Sequence, residues 1–247
     1  LEFARQLLLR GCFTLEDFPP ELRRNREFCL LALAKDYRDV HFVSQELNKD
    51  PSFWWEAVVR SPLIFPRAPA SLQHDRQFAM AAVSNDGCAL EYVPEELQRD
   101  RDLCMAAVSK NGCALMFVPE DLRSNPDLCM AAVSSDGHAL AHVPNDLRSN
   151  QDLYMALCVA AVRNKGRALS DVPEELRPTN RALCLSAVRQ DGWALGYLPK
   201  QFLDDPQFCL AAVSRAGRAF QYVPAPLRSN RDICLAALRQ DVRASSQ

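Results

Sequence analysis

The sequence predicts an all-α fold: an α-solenoid of about nine tandem 25-residue repeats, each a long buried helix, a short covering helix and a turn. Three observations predict it. "MAAVSNDGCALEYVPEELQRD" (Met80–Asp100) returns as "MAAVSKNGCALMFVPEDLRSN" (Met105–Asn125) and as "MAAVSSDGHALAHVPNDLRSN" (Met130–Asn150). The Leu of V-P-x-x-L recurs every 25 residues at Leu22, Leu47, Leu72, Leu97, Leu122 and Leu147, then at Leu176, Phe202 and Leu227 after small insertions. No stretch of β-branched residues alternates with period 2. One such unit cannot bury its apolar helix alone, whereas stacked copies can, each supplying the wall for its neighbour. Residues 1–247 are therefore expected to form a single array, with irregular copies at about 48–72 and 148–176.

The long helix begins at a polar cap three residues after the marker Leu: Asn25, Asp50, Asp75, Asp100, Asn125, Asn150, Asp205 and Asn230, with Asn180 after a one-residue insertion. Asn and Asp serve there because their side-chain oxygen accepts an otherwise orphaned helix N–H. Pro51, Pro126 and Pro206 follow the cap where proline suits the first turn, and Asp102, Asp127, Asp152 and Asp232 complement the helix dipole. The helix body, as in Leu103-Cys104-Met105-Ala106-Ala107-Val108, is apolar nearly all round, the mark of a buried helix. One column is Ala in every copy (Ala32, Ala57, Ala82, Ala107, Ala132, Ala161, Ala187, Ala212, Ala237), which predicts close approach of neighbouring helices. Gly87, Gly112, Gly137, Gly166, Gly192 and Gly217 fit left-handed C-caps. The A-L-x-aromatic-V-P segment that follows has room for one or two helical turns, and its Pro, as at Pro119, stops that helix or begins the next turn. Ala107, Gly112, Asn125 and Pro119 thus represent four structural columns.

Composition narrows the function classes. The chain is 48% hydrophobic and 24% charged, with a net charge of −2. A general nucleic-acid or anionic-membrane binder would carry a basic excess, and no apolar run approaches the ~20 residues of a membrane span; a seat on a membrane complex stays open. The chain begins at Leu1, which predicts a processed form or a fragment. Six of its ten cysteines (Cys29, Cys104, Cys129, Cys184, Cys209, Cys234) share one column inside the apolar run. They read as reduced packing residues, in keeping with an intracellular or organelle-interior, reducing setting.

The pattern D-x-x-[LF]-C-[LM]-A-A-V-x-x-x-G-x-A-L-x-[YF]-V-P-x-x-L-R resembles a repeat family known only as a domain of unknown function, found in bacterial effectors and in proteins of algae and other protists. The resemblance runs from about Asp17 to Asp241. It implies the helical repeat fold and brings no catalytic residues and no agreed ligand.

Departures from the pattern carry whatever functional signal there is. The position after the Gly varies in chemistry (Arg38, Leu63, Cys88, Cys113, His138, Arg167, Trp193, Arg218) and is expected to be exposed, while the Leu two places on (Leu90, Leu115, Leu140, Leu169, Leu195) is core. The next varied column (Phe42, Arg67, Tyr92, Phe117, His142, Asp171, Tyr197, Tyr222) is expected to be half-buried with polar tips outward. In "PSFWWEAVVRSPLIFPRAP", Trp54, Trp55 and Phe65 either fill space around an irregular turn or form a hydrophobic anchor for a partner. "LYMALCVAAV" adds four residues, close to one turn, as a longer helix or as a projecting contact at Tyr154–Cys158. Trp54, Trp55, Phe65, Tyr154, Trp193, Arg167 and Arg218 are the candidate partner-binding residues.

No P-loop, dinucleotide fingerprint or H-E-x-x-H is present. His138 and His142 have a ligand-like spacing, with Cys113 one repeat back, but no third ligand follows from the pattern, so no metal and no cofactor are expected. The leading expectation is a non-catalytic protein-interaction scaffold or an accessory subunit of a larger assembly, not an enzyme. An RNA-binding array is the alternative, drawing on the Arg column after the marker (Arg23, Arg123, Arg148, Arg177, Arg228) and opposed by Glu95, Glu96, Glu120, Asp121, Glu174 and Glu175 in the same turns. A bacterial-effector-like adaptor is a second alternative.

Overall fold

The computed structural model describes residues 2–10 and 13–244, so Leu1 lies outside it. Among these residues the chain is helical, with no strand. It divides into two compact units, one running to Lys110 and including Phe117–Pro119, the other comprising Asn111–Met116 and the chain from Glu120 onward. The repeat register continues through the division without a break.

The first unit stacks the long helices Arg26–Lys35, Pro51–Arg60, Arg76–Asn85 and Arg101–Lys110, each against the next, with the 3-10 helices Tyr37–Phe42, Pro62–Arg67 and Gly87–Tyr92 stacked alongside. The second unit does the same with Pro126–Ser135, Gln151–Asn164, Arg181–Gln190, Pro206–Arg215 and Arg231–Ala244, and with the 3-10 helices Gly137–His142, Gly166–Asp171, Gly192–Tyr197 and Gly217–Tyr222. The all-α repeat solenoid is therefore the fold. The four residues added in Gln151–Asn164 extend that helix by about one turn without a break.

The caps are where the sequence placed them. Asn25, Asp50, Asp75, Asp100, Asn125, Asn150, Asn180, Asp205 and Asn230 each accept one or two amide N–H groups from the first turn of the following helix. The Ala column is fully buried from Ala32 to Ala212, and Ala107 is 0% exposed.

Three expectations need correction. The P-x-x-L segment is a one-turn helix rather than a turn in most copies, as at Gln45–Asn48, Glu95–Gln98 and Lys200–Leu203, and a proline such as Pro94 or Pro199 sits at its N-cap. Pro119 holds that place before Glu120–Arg123. The long helix is not buried all round: in Arg101–Lys110 the buried stripe is Leu103, Cys104, Ala107 and Val108, while both ends are exposed. The glycines are not left-handed C-caps. The preceding residue, such as Asp136 or Asp191, is the extended C-cap, and the glycine opens the 3-10 helix. A Cβ on Gly112, Gly137, Gly166 or Gly192 would collide with the carbonyl oxygen of Ala132, Ala161, Ala187 or Ala212 in the next copy. Glycine column and alanine column are thus two halves of one close approach between copies.

Polar side chains seal the same seam. The last residue of three long helices, and Gln240 within the last, reach back to a carbonyl at the end of the preceding helix: Asn85 to Val59 (2.6 Å), Asn164 to Ser134 (2.7 Å), Gln190 to Asn164 (3.0 Å) and Gln240 to Ser214 (2.6 Å). Helix C-terminal carbonyls lack intrahelical donors, so each copy caps its predecessor.

Candidate functional site

The structure separates the candidate residues into two groups. Trp54, Phe65 and Tyr154 are 3%, 0% and 2% exposed, so they are not surface anchors. Their register explains why. Trp54 and Tyr154 stand four residues after the caps Asp50 and Asn150, in the column occupied elsewhere by Cys29, Cys104, Cys129, Cys184 and Cys209. Those thiols donate to the carbonyl that ends the preceding one-turn helix: Cys104 to Gln98 (2.8 Å), Cys129 to Arg123 (3.0 Å) and Cys209 to Leu203 (3.3 Å). The Trp54 indole N–H donates to the equivalent Asn48 carbonyl at 2.9 Å. Phe65 stacks on Phe78 with centroids 5.4 Å apart, and half-buried Trp55 meets the same ring edge-on at 5.3 Å. Tyr154 keeps its place under the Arg148 guanidinium, 5.6 Å from the ring centroid, and burial pushes its hydroxyl up to about 12.

Arg167, Trp193 and Arg218 lie on the 3-10 layer of the second unit, Arg167 and Arg218 exposed and Trp193 half-buried. Arg167 donates through Nε to Asp191 Oδ2 at 2.7 Å and holds its guanidinium 5.3 Å from the Trp193 centroid. Trp193 meets Tyr222 edge-on at 6.0 Å. A Cβ on Gly196 would press on the Tyr222 ring, so that glycine admits the tyrosine. Tyr197 and Tyr222 are each 41% exposed. Three successive 3-10 helices thus present an arginine–tryptophan–tyrosine strip, each residue supplied by the varied columns. Cation–π and edge-to-face contacts pre-order these side chains before anything binds.

Two members of the Arg column after the marker fold back onto their own copy. Arg177 donates to the carbonyls of Val172 (2.8 Å) and Ser170 (2.9 Å), and Arg228 to those of Val223 (2.8 Å) and Gln221 (3.2 Å). Gln98 plays the same part on Leu90 at 2.8 Å. These side chains cap their own copy's 3-10 helix, which removes two of the guanidiniums on which an RNA-reading face would depend.

Reactive chemistry gains no support from the thiols. Burial pushes Cys29 up to about 12, and Cys129, Cys158, Cys184 and Cys209 up to about 11, so they stay protonated near neutrality and are poor nucleophiles. Burial also raises Cys113. The described cysteines are free thiols. His138 Nδ1 is 2.8 Å from Asp171 Oδ2, an inter-copy pair in place of a ligand set with His142. Among the described residues no three His, Cys, Asp or Glu side chains gather to hold a metal ion. No helix among them is long and apolar enough to cross a membrane.

Sequence reasoning missed an ion-pair ladder. Arg26, Arg76 and Arg181, each just after its own cap, bind the cap carboxylate of the next copy: Asp50 (2.6 Å), Asp100 (2.5 Å) and Asp205 (2.7 Å). The signal was present, since all three arginines are followed one copy later by an Asp cap rather than Asn.

Comparison with known proteins finds one family. The model of the Domain of unknown function (DUF4116) matches residues 50–98, 100–148, 125–177, 180–228 and 210–246. Four of these matches open on a cap residue, Asp50, Asp100, Asn125 or Asn180, so each of them spans about two copies of the unit described above. Neither the curated proteins nor the solved structures contain a match. With its family model covering most of the chain and its caps falling where the matches begin, the protein belongs to the DUF4116 family.

Proposed function

We propose that the chain is a non-catalytic protein-interaction scaffold, or an accessory subunit of a larger assembly, working in a reducing interior. The observation that carries this reading is the strip of exposed Arg167, Tyr197 and Tyr222 around half-buried Trp193. Trp, Tyr and Arg are the residues that dominate protein interfaces. The structural columns face inward, and the contacts of Arg167 with Trp193 and of Trp193 with Tyr222 run along the surface of the 3-10 layer. The engagement of Arg177 and Arg228 with carbonyls of their own copies favours a protein partner over RNA.

The test is affinity capture from nuclease-treated source extract, with the parent chain and with Trp193→Ala/Tyr222→Ala, both verified as folded by circular dichroism. Loss of a hot-spot aromatic typically costs about 2 kcal/mol or more, roughly thirtyfold in affinity, so specific partners should vanish with the double variant and persist with Gln151→Ala. Partners retained by the double variant would refute the strip. Partners lost on nuclease treatment alone would replace this reading with the RNA one.

A further inference from the structure

The strip on the 3-10 layer of the second unit has a one-sided polar chemistry. Arg167 spends its Nε on Asp191 Oδ2 at 2.7 Å and lies 5.3 Å from the Trp193 centroid, which leaves both Nη groups of a fixed guanidinium uncommitted. Two copies on, in the same column, Arg218 is exposed and has no hydrogen bond or ion pair among the described residues. The Trp193 indole N–H and the Tyr197 and Tyr222 hydroxyls are likewise without a hydrogen-bond partner among them. The acceptors nearby are already used. His138 pairs with Asp171, and Arg167 with Asp191. Arg177 occupies the carbonyls of Ser170 (2.9 Å) and Tyr197 (3.3 Å), and Arg228 that of Gln221 (3.2 Å). Every uncommitted group named here can therefore donate, and two of them are cationic. A guanidinium already pinned by a carboxylate and a ring loses little freedom on binding.

The occupant that fits is anionic, rich in acceptors and partly apolar. Two features favour a peptide over a nucleic acid. First, the cations are spaced: at roughly 8–10 Å per stacked copy, the backbones of Arg167 and Arg218 stand about 16–20 Å apart along the layer. Second, the copy that supplies Arg167 also exposes Glu174 and Glu175. A phosphodiester chain brings a charge with every nucleotide and meets those carboxylates, whereas a peptide places its charges singly. An extended peptide rises about 3.3 Å per residue, so acids about five or six residues apart reach both arginines. Its main-chain carbonyls meet the Trp193 and tyrosine donors between them. From Arg181 onward the chain carries nine Lys or Arg against five Asp or Glu, so the local field also favours an acid.

We propose that the strip binds an extended acidic segment of a partner protein. Carboxylates about five or six residues apart pair with Arg167 and Arg218, and an apolar residue between them lies against Trp193 and Tyr222. This deepens the scaffold reading, on which it rests, by naming the chemistry of the partner at that same strip.

The experiment titrates the isotope-labelled full chain with synthetic Ser/Gly dodecapeptides that carry one Phe midway between two Glu, whose separation is varied. The readout is the indole N–H resonance of Trp193, identified with Trp193→Phe. A matching Lys-pair series and an oligouridylate are the comparison probes. Peptides with Glu about five or six residues apart should shift that resonance and bind about tenfold tighter than the Lys pairs, and about threefold tighter than peptides with adjacent Glu. Arg218→Ala should weaken them about threefold to fivefold, and Arg218→Glu should turn the preference toward Lys. Both variants should melt with the parent, because Arg218 has no partner to lose. Equal binding of Glu and Lys pairs, no shift with any peptide, a preference unmoved by Arg218→Glu, or a larger shift with the oligouridylate than with the Glu peptides would each overturn the acidic segment. The capture test with Trp193→Ala/Tyr222→Ala is separate. Partners still lost there would keep the strip as a docking site with another occupant, and partners retained there would refute the strip itself.

Discussion

The copy from Asp50 to Gln73 and the copy from Asp75 to Gln98 share a frame and differ in how they fill it. Both keep the cap, the buried Ala57 or Ala82 and the one-turn helix. The second has Asp86-Gly87, where the Asp86 carboxylate accepts the Cys88 amide and caps the 3-10 helix. The first has Ser61-Pro62, with no side-chain cap, and fills its layer with Ile64 and Phe65, both 0% exposed, where the other uses Ala89 and Leu90. It places Trp54 where the other has Ala79. The lesson is that the array fixes backbone contacts between copies and leaves the side chains free to exchange bulk. Irregularity in sequence did not make a protruding surface. It made a differently packed interior.

The strongest challenge to that contrast is Trp54→Ala. Removing a buried indole that also satisfies the Asn48 carbonyl should cost about 3–5 kcal/mol, read as a fall in the denaturant midpoint; a fall under 1 kcal/mol would mean that the ring is dispensable. Next comes Gly192→Ala against Pro62→Ala. The first drives a methyl into the Ala212 carbonyl and should cost about 2–3 kcal/mol. The second, in the copy that already dispenses with glycine, should stay within about 1 kcal/mol, and equal losses would dissolve the distinction. Ala107→Leu, in the uniform column, should cost about 1–3 kcal/mol by overpacking, and a parental melting temperature would refute the close approach.

The smallest effect is electrostatic. The Asp50 carboxyl is held low by the Ser52 hydroxyl and Arg26, Asp100 chiefly by Arg76, and Asp205 by the Gln207 amide and Arg181. Folded values below the unfolded one give stability that is present above about pH 4 and lost as the pH falls through the folded values. The melting temperature should therefore drop in acid. Asp50→Asn and Asp100→Asn, which keep a capping oxygen, should flatten that limb, and an unchanged acid limb would show that the ladder contributes nothing.

How much was legible depended on distance along the chain. Asn125 bonds amides two and three residues away, so its role follows from local stereochemistry. The Ala column and the 25-residue period follow from repetition alone. The role of Gly112 did not, because the atom that forbids a Cβ belongs to Ala132, a copy later. For Trp54 and Tyr154 the sequence left both a packing role and a surface role open, because the column they share with the cysteines is set by its place against the preceding short helix, where Trp54 also donates to the Asn48 carbonyl, and not by hydrophobicity alone. Chemical variety down the column of Arg167 and Trp193 accompanies exposure at Arg167, while Trp193 is half-buried between Arg167 and Tyr222.

By itself the sequence determined the period, the helix starts, the all-α class and the family, since these are set by local capping and by a pattern that repeats. Only the tertiary structure decided which departures are surface and which are core. It folded Arg177 and Arg228 back onto the 3-10 helices of their own copies, buried Trp54, Phe65 and Tyr154, and left Tyr197, Tyr222 and Arg167 exposed. The physical reason is that a side chain's exposure in a stacked array is fixed by the adjacent copy, whose atoms lie about 25 residues away in sequence and only a few ångströms away in space.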